Sequence, residues 1–142
     1  MRVTHESLCA QDTERLGAEL AATLAPGDVV LLEGDLGTGK TTFVRGACRA
    51  LGVRGPVTSP TFTIGQRYPA PVPVAHLDLY RIEGLEREDP DLLSDYIRAD
   101  TIAFVEWPAV ARAAIEREAH VVYRVRLFHA GADQRVLEVS SA

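Results

Sequence analysis

One stretch of this chain fixes the kind of fold it can enter. Gly34-Asp35-Leu36-Gly37-Thr38-Gly39-Lys40-Thr41 satisfies the phosphate-loop pattern G-x-x-x-x-G-K-[ST] at every fixed position. Such a loop works between a buried strand and a helix. Its glycines let backbone N–H groups converge on an anion, and the helix that follows adds its positive end. Both flanks are present: Val29-Val30-Leu31-Leu32 is a compact apolar run of strand length, and Lys40 to about Leu51 reads as a helix ended by Gly52. Composition sharpens the reading. Lys40 is the only lysine, and the other fourteen Lys/Arg positions are all arginine. A planar guanidinium does not thread a tight anion nest, whereas a compact ammonium on a flexible stem reaches between two phosphates. Lys40 is therefore expected on the β- and γ-phosphates of a nucleotide, with the Thr41 hydroxyl on Mg²⁺. The competing reading is a glycine-rich strand–helix turn that holds no ligand.

At 142 residues the chain is expected to form a single domain over 1–142, able to bury roughly two-thirds of its unfolded surface. Its net charge of −5 argues against a large nucleic-acid footprint. The two cysteines, Cys9 and Cys48, lack metal-ligand spacing and read as buried or incidental thiols of a reducing compartment. No signal peptide or membrane-length apolar run is apparent, so a cytoplasmic protein with no membrane partner is expected.

Gln11 to Ala25 reads as a helix, capped by Asp12, with Leu16, Leu20 and Leu24 on one face. Thr61 to Gln66 is β-prone, with Gly65 suggesting a bulge, and Pro69, Pro71 and Pro73 force an extended loop. Val74 to Leu79 and Thr101 to Val105 read as strands. The acidic segment between them carries short helical stretches around Leu92, Leu93 and Tyr96. Pro108 suits the first turn of a helix to about Glu118, and Val121 to Phe128 and Arg135 to Val139 form a hairpin. The fold class that follows is α/β: a P-loop NTPase-like three-layer fold with a mixed β-sheet and a C-terminal β-hairpin.

Three further segments carry chemistry. In Phe104-Val105-Glu106-Trp107-Pro108, a carboxylate ends an apolar strand. Glu106 either holds Mg²⁺, directly or through water, or caps the next helix as a solvated acid. Trp107 alone reads as a packing residue. In His76-Leu77-Asp78-Leu79-Tyr80-Arg81, alternation sends His76, Asp78 and Tyr80 to one face. Either Asp78 orients water or binds a Mg²⁺-bound water while Tyr80 and Arg81 anchor a mobile loop, or the segment is a hydrogen-bonded strand end with a structural salt bridge. Val57-Thr58-Ser59-Pro60-Thr61-Phe62 is either a γ-phosphate-sensing switch or an ordinary Ser-Pro turn.

In order and spacing these four segments resemble the TsaE family of bacterial P-loop ATPases, formerly YjeE, from the helix near Thr13 to the final hairpin. The resemblance implies an ATPase, with ATP and Mg²⁺ as cofactors, accessory to a TsaB–TsaD pair. That pair makes N6-threonylcarbamoyladenosine at position 37 of tRNAs reading codons that begin with A. By the same resemblance Asp35, Leu36, Gly37, Thr38, Gly39 and Lys40 form the phosphate loop, with Thr42 beside them. Thr41 and Glu106 become metal ligands and Asp78 the strand aspartate, so that Lys40, Asp78 and Glu106 make the catalytic set. Nucleotide contacts fall near Thr13 and Arg135, and tRNA is engaged only through the complex. The proline-rich stretch 69–73 and the short C-terminal tail depart from the family pattern.

Three rivals share the loop. A small-molecule kinase needs a lid and an acceptor pocket, for which 142 residues leave little room. A GTPase commonly uses N-K-x-D, and the only lysine is already at position 40. A nucleotide-sensing module that never hydrolyses stays open, because no residue stands out as the catalytic base.

Overall fold

The computed structural model describes residues 2–58, 65–80 and 92–142. Its centre is set by strands buried on both faces. In β2 (Asp28–Glu33), Val29 to Leu32 are all fully buried, as are Ala103 to Val105 of β5 (Ile102–Glu106) and Val74 to Leu77 of β4 (Val74–Asp78). Strands apolar on both sides need cover on both faces and pair in parallel through helical crossovers. β2 accordingly pairs in parallel with β5, β5 with β4, and β2 with β6 (His120–His129). Antiparallel strands close both edges: β7 (Arg135–Ser141) on β6, β1 (Arg2–Ser7) on β7, and β3 (Gly65–Tyr68) on β4. The result is a mixed seven-stranded sheet of order β1-β7-β6-β2-β5-β4-β3.

Helices cover the two faces. α1 (Ala10–Ala21) and α2 (Lys40–Ala50) bury Leu16, Leu20, Phe43 and Val44 against Val30, Leu32, Phe104 and Leu127. α3 (Leu92–Tyr96) and α4 (Arg112–Glu118) set Leu93 and Ile115 against Val29, Leu31, Leu77 and Val105. The three layers and the terminal hairpin match the expected class. α1 and α2 meet backbone to backbone. A Cβ at Gly46 would lie 2.0 Å from the Glu14 carbonyl oxygen, and one at Gly17 would lie 2.1 Å from that of Phe43. Glycine costs about 1 kcal/mol against alanine inside a helix, so these positions trade local propensity for close contact.

Several local expectations shift. β1 was not foreseen, because an exposed edge strand has no buried face to impose alternation. α1 ends at Ala21 rather than Ala25; Thr23 turns its hydroxyl onto Leu20 O before Pro26. Its N-cap is Cys9, without a side-chain bond, and Asp12 acts from inside the first turn by accepting the Leu8 N–H at 2.9 Å. Gly65 makes no bulge: it pairs regularly with Leu77, and a Cβ there would strike the Leu77 and Tyr96 side chains. Pro108 starts a 3₁₀ turn, Pro108–Ala111, that leads into α4. Of the segment foreseen as a strand from Thr61, residues 61–64 lie outside the described residues.

Candidate nucleotide-binding site

The parallel register places the C-terminal ends of β2, β5 and β4 along one edge of the sheet, where ligands of open α/β folds bind. The phosphate loop leaves β2 at that edge. Gly37 and Gly39 take φ of 77° and 100°, a region costly for residues with a Cβ, and Gly39 serves as the N-cap of α2. The helix ladder begins with Phe43 N–H donating to Gly39 O at 2.9 Å, which turns the first-turn N–H groups of α2 toward the loop. Thr38 is buried, and its hydroxyl donates to Asp35 O at 2.7 Å, so it holds the loop together from inside. Asp35 and Leu36 stand exposed at the tip.

Lys40 is only 5% exposed. Its Nζ donates to Gly34 O at 2.7 Å and to Asp35 O at 3.0 Å, and it lies 4.1 Å from the centroid of the Trp107 ring. Burial lowers the lysine pKa, while the charges of Glu106, Asp78 and Asp35 oppose that shift. Trp107 is the only non-glycine residue of positive φ among the described residues, at 57°. The conformation costs on the order of 1 kcal/mol or more, and it turns the indole over Lys40, with the Tyr80 ring 4.8 Å away.

Register also assembles the acids. Asp78 pairs directly with Glu106 across β4 and β5. Glu106 is 2% exposed, and its Oε2 accepts from the Thr41 hydroxyl at 3.3 Å and meets Nε2 of the fully buried His76. Asp78 accepts the Tyr80 N–H at 3.1 Å. Burial raises the Asp78 pKa, helped by the Glu106 charge, against the Tyr80 N–H, His76 and Lys40. A cavity of about 250 Å³ is lined by Leu36, Gly37, Gly39, Lys40, Thr41, Thr42, Asp78, Glu106 and Trp107. A larger cleft of about 550 Å³ beside Gly52 and Pro71 carries no such set, so chemistry rather than size selects the site.

Among the described residues no three His, Cys, Asp or Glu side chains converge as a metal cage. A Mg²⁺ ion bound with a nucleotide needs no such cage, since it uses one or two carboxylates and otherwise takes phosphate and water oxygens. The oxygens present, the Thr41 hydroxyl against the Glu106 carboxylate with Asp78 on the same cavity, are hard donors of that kind.

The family model described as "Threonylcarbamoyl adenosine biosynthesis protein TsaE" matches residues 8–137, which contain every one of these groups. This chain belongs to the TsaE family. A Bacillus subtilis "tRNA threonylcarbamoyladenosine biosynthesis protein TsaE" is 39% identical over 127 residues, 88% of this chain and 77% of the relative. A Streptomyces coelicolor protein of the same name is 47% identical over 95 residues, 65% of this chain and 64% of its own length. The match thus spans slightly under two-thirds of that relative. The crystal structure titled "Bacillus subtilus YdiB" superposes with a TM-score of 0.80 at 30% identity, covering 99% of this chain and 86% of that one. A P-loop fold of this family is a nucleotide-binding fold.

In this TsaE-family chain the C-terminal hairpin braces the loop. Arg135 Nη2 donates to Gly37 O at 3.0 Å, its Nη1 holds the hairpin turn through Gln134 O at 2.7 Å, and His129 Nε2 meets Leu36 O at 3.2 Å. Thr13 lies beneath the loop, 2% exposed; its hydroxyl is 2.6 Å from Ser7 Oγ and its methyl faces Gly39. His129 escaped sequence reasoning, because nothing local marks a strand-end histidine as a loop contact. Trp107, a packing residue by sequence alone, instead covers Lys40 and lines the cavity; its place between Glu106 and Pro108 is the usable signal. Ser59 to Phe62 and Arg81 lie outside the described residues. The root of the Thr58 segment is held by Arg45, whose Nε and Nη2 each donate to Val57 O at 3.3 Å.

Proposed function

We propose that this chain is a Mg²⁺-dependent ATPase that supports formation of N6-threonylcarbamoyladenosine in tRNA, acting with a TsaB–TsaD pair. The observation that carries the reading is the meeting of Lys40, Thr41, Asp78 and Glu106 on one cavity at the phosphate loop. Membership of the TsaE family and the names of its relatives supply the pathway.

In this reading the loop N–H groups and the N-terminus of α2 hold the phosphates, while Lys40 exchanges the carbonyls of Gly34 and Asp35 for phosphate oxygens. Thr41 and Glu106 would hold Mg²⁺, which when bound neutralises charge developing on the phosphates. Asp78, its carboxyl pushed up by burial, is suited to orient the water that attacks the γ-phosphorus. Trp107 lines the cavity on the Lys40 side, with the Tyr80 ring packed beside it.

A second cation over the γ-phosphate is worth roughly 10³–10⁵ in rate when a partner supplies it. The net charge of −5 disfavours direct capture of tRNA. No helix among the described residues is long and apolar enough to cross a membrane, and we place the chain in the cytoplasm with its tRNA pathway. Steady-state ATPase should be slow for the chain alone, strongly stimulated by the TsaB–TsaD pair, and unmoved by tRNA alone. Full activity in isolation, or stimulation by tRNA without the pair, contradicts the proposal.

A further inference from the structure

We infer that His76 is the positioning residue for Glu106: its imidazole fixes the carboxylate that faces Thr41, and this role explains why a histidine occupies the core of the sheet. The inference rests on the Mg²⁺ reading of Thr41 and Glu106.

His76 has no exposed surface, and it sits in β4 between Val74 and Asp78 on the face that carries the phosphate loop. Parallel pairing sets Asp78 opposite Glu106 and His76 opposite Phe104, so the ring lies diagonally beneath the Glu106 side chain. There its Nε2 meets Glu106 Oε2, the same oxygen that accepts the Thr41 hydroxyl. The other ring nitrogen, Nδ1, has no hydrogen-bond partner among the described residues. An apolar side chain would fill the same space without burying a polar ring, whose unpaired atoms cost about 1–3 kcal/mol each. Among the described residues this ring directs its one hydrogen bond onto the Glu106 carboxylate.

The carboxylate has reason to need it. Glu106 is nearly fully buried, where an ionised group requires donors to persist. It also has one more rotatable bond than the aspartate that P-loop proteins commonly use there. With His76 on one side and Thr41 on the other, Oε2 is pinned at the rim of the cavity. Partners in the shell behind a metal ligand act in this way, and their loss commonly weakens metal affinity 10–100-fold.

The test is calorimetric titration of ADP over a Mg²⁺ series and in chelator, for wild type, His76→Leu, His76→Gln and His76→Asn, with thermal melts on each. His76→Leu should raise the Mg²⁺ half-saturation about 10–100-fold and leave affinity in chelator within about twofold. Gln, whose amide can stand in for Nε2, should recover most of the loss, and the shorter Asn should not. If the Leu variant fails to fold, the Gln–Asn contrast carries the test. A folded Leu variant with wild-type Mg²⁺ response, equal losses with and without Mg²⁺, or no difference between Gln and Asn overturns the inference. Nitrogen NMR of the nucleotide-free, metal-free protein gives a second readout. The His76 ring should appear as the Nε2–H tautomer, and its shifts should move in Glu106→Gln; unmoved shifts overturn the contact itself. If wild-type ADP affinity ignores Mg²⁺ while those shifts move, the metal reading fails and the positioning contact stands.

Discussion

Gly46→Ala is a small change with a large expected effect. The new Cβ would start 2.0 Å from the Glu14 carbonyl oxygen and 2.5 Å from its carbon. Carbon and oxygen in close contact sit about 3.3 Å apart, so α1 must retreat by roughly 1.3 Å. The atoms in the way are helix backbone, which cannot rotate aside. Overpacking of this kind costs about 1–3 kcal/mol, and the retreat also loosens the partly buried Leu16 and Leu20 from Phe43 and Val44, giving up part of their apolar burial. Against this stands about 1 kcal/mol of improved helix propensity. The net loss is about 2–4 kcal/mol, a fall in Tm of roughly 6–15 °C for a domain of this size. Because Thr13 on α1 lies under Gly39, nucleotide affinity should fall as well. Gly55→Ala is the control: nothing lies within 4 Å of its Cβ, so it should change stability by at most about 0.5 kcal/mol. Calorimetric melts of both variants, with nucleotide titrations, decide the matter. A Gly46→Ala protein that melts within about 2 °C of wild type would refute the close-packing argument.

Lys40→Ala should lose about 2–4 kcal/mol of transition-state stabilisation in single-turnover hydrolysis. Lys40→Arg should fail as well, because the ammonium now fits between Gly34 O and Asp35 O under the Trp107 ring, and a guanidinium does not. Asp78→Asn should slow hydrolysis yet raise Tm by about 1–3 °C at neutral pH. The sign follows from the raised pKa of Asp78: burial disfavours its charged form in the folded state, so its favourable contribution is present below the unfolded pKa and is lost as pH rises through the folded one, a loss the neutral amide does not undergo. A lowered melt, or lost ADP binding, would make this aspartate structural. A thiol reagent at pH 8 should label half-buried Cys9 in the native protein and reach Cys48 only on unfolding, since burial takes Cys48 to about 12; mass mapping of the labelled peptides reads the result.

Where the chain was legible, its residues were constrained on every side. Val29 to Leu32 and Ala103 to Val105 are apolar without interruption because both sheet faces are covered, and the glycines of the loop follow from a backbone that must wrap an anion. β1 was silent because an exposed edge strand leaves its residues free to be polar. The hairpin's grip on the loop was silent for another reason. His129 and Leu36 lie 93 residues apart, and Arg135 and Gly37 lie 98 apart, distances across which no local pattern operates. Arg135 entered only through family resemblance. The tie between His76 and Glu106 falls between these cases: alternation put His76 on the same face as Asp78, but only the parallel register of β4 and β5 brought it to Glu106.

We propose that this chain couples ATP hydrolysis to tRNA modification, and that coupling can be read by rebuilding the reaction from purified TsaB–TsaD, the threonylcarbamoyl donor, tRNA and Mg²⁺-ATP. Modified adenosine is then counted by mass spectrometry over many turnovers. Wild-type chain should sustain repeated cycles, and omission or Lys40→Ala should stop the reaction near one product per complex. Equal yields with the wild-type chain, with Lys40→Ala and with no chain at all would contradict the account.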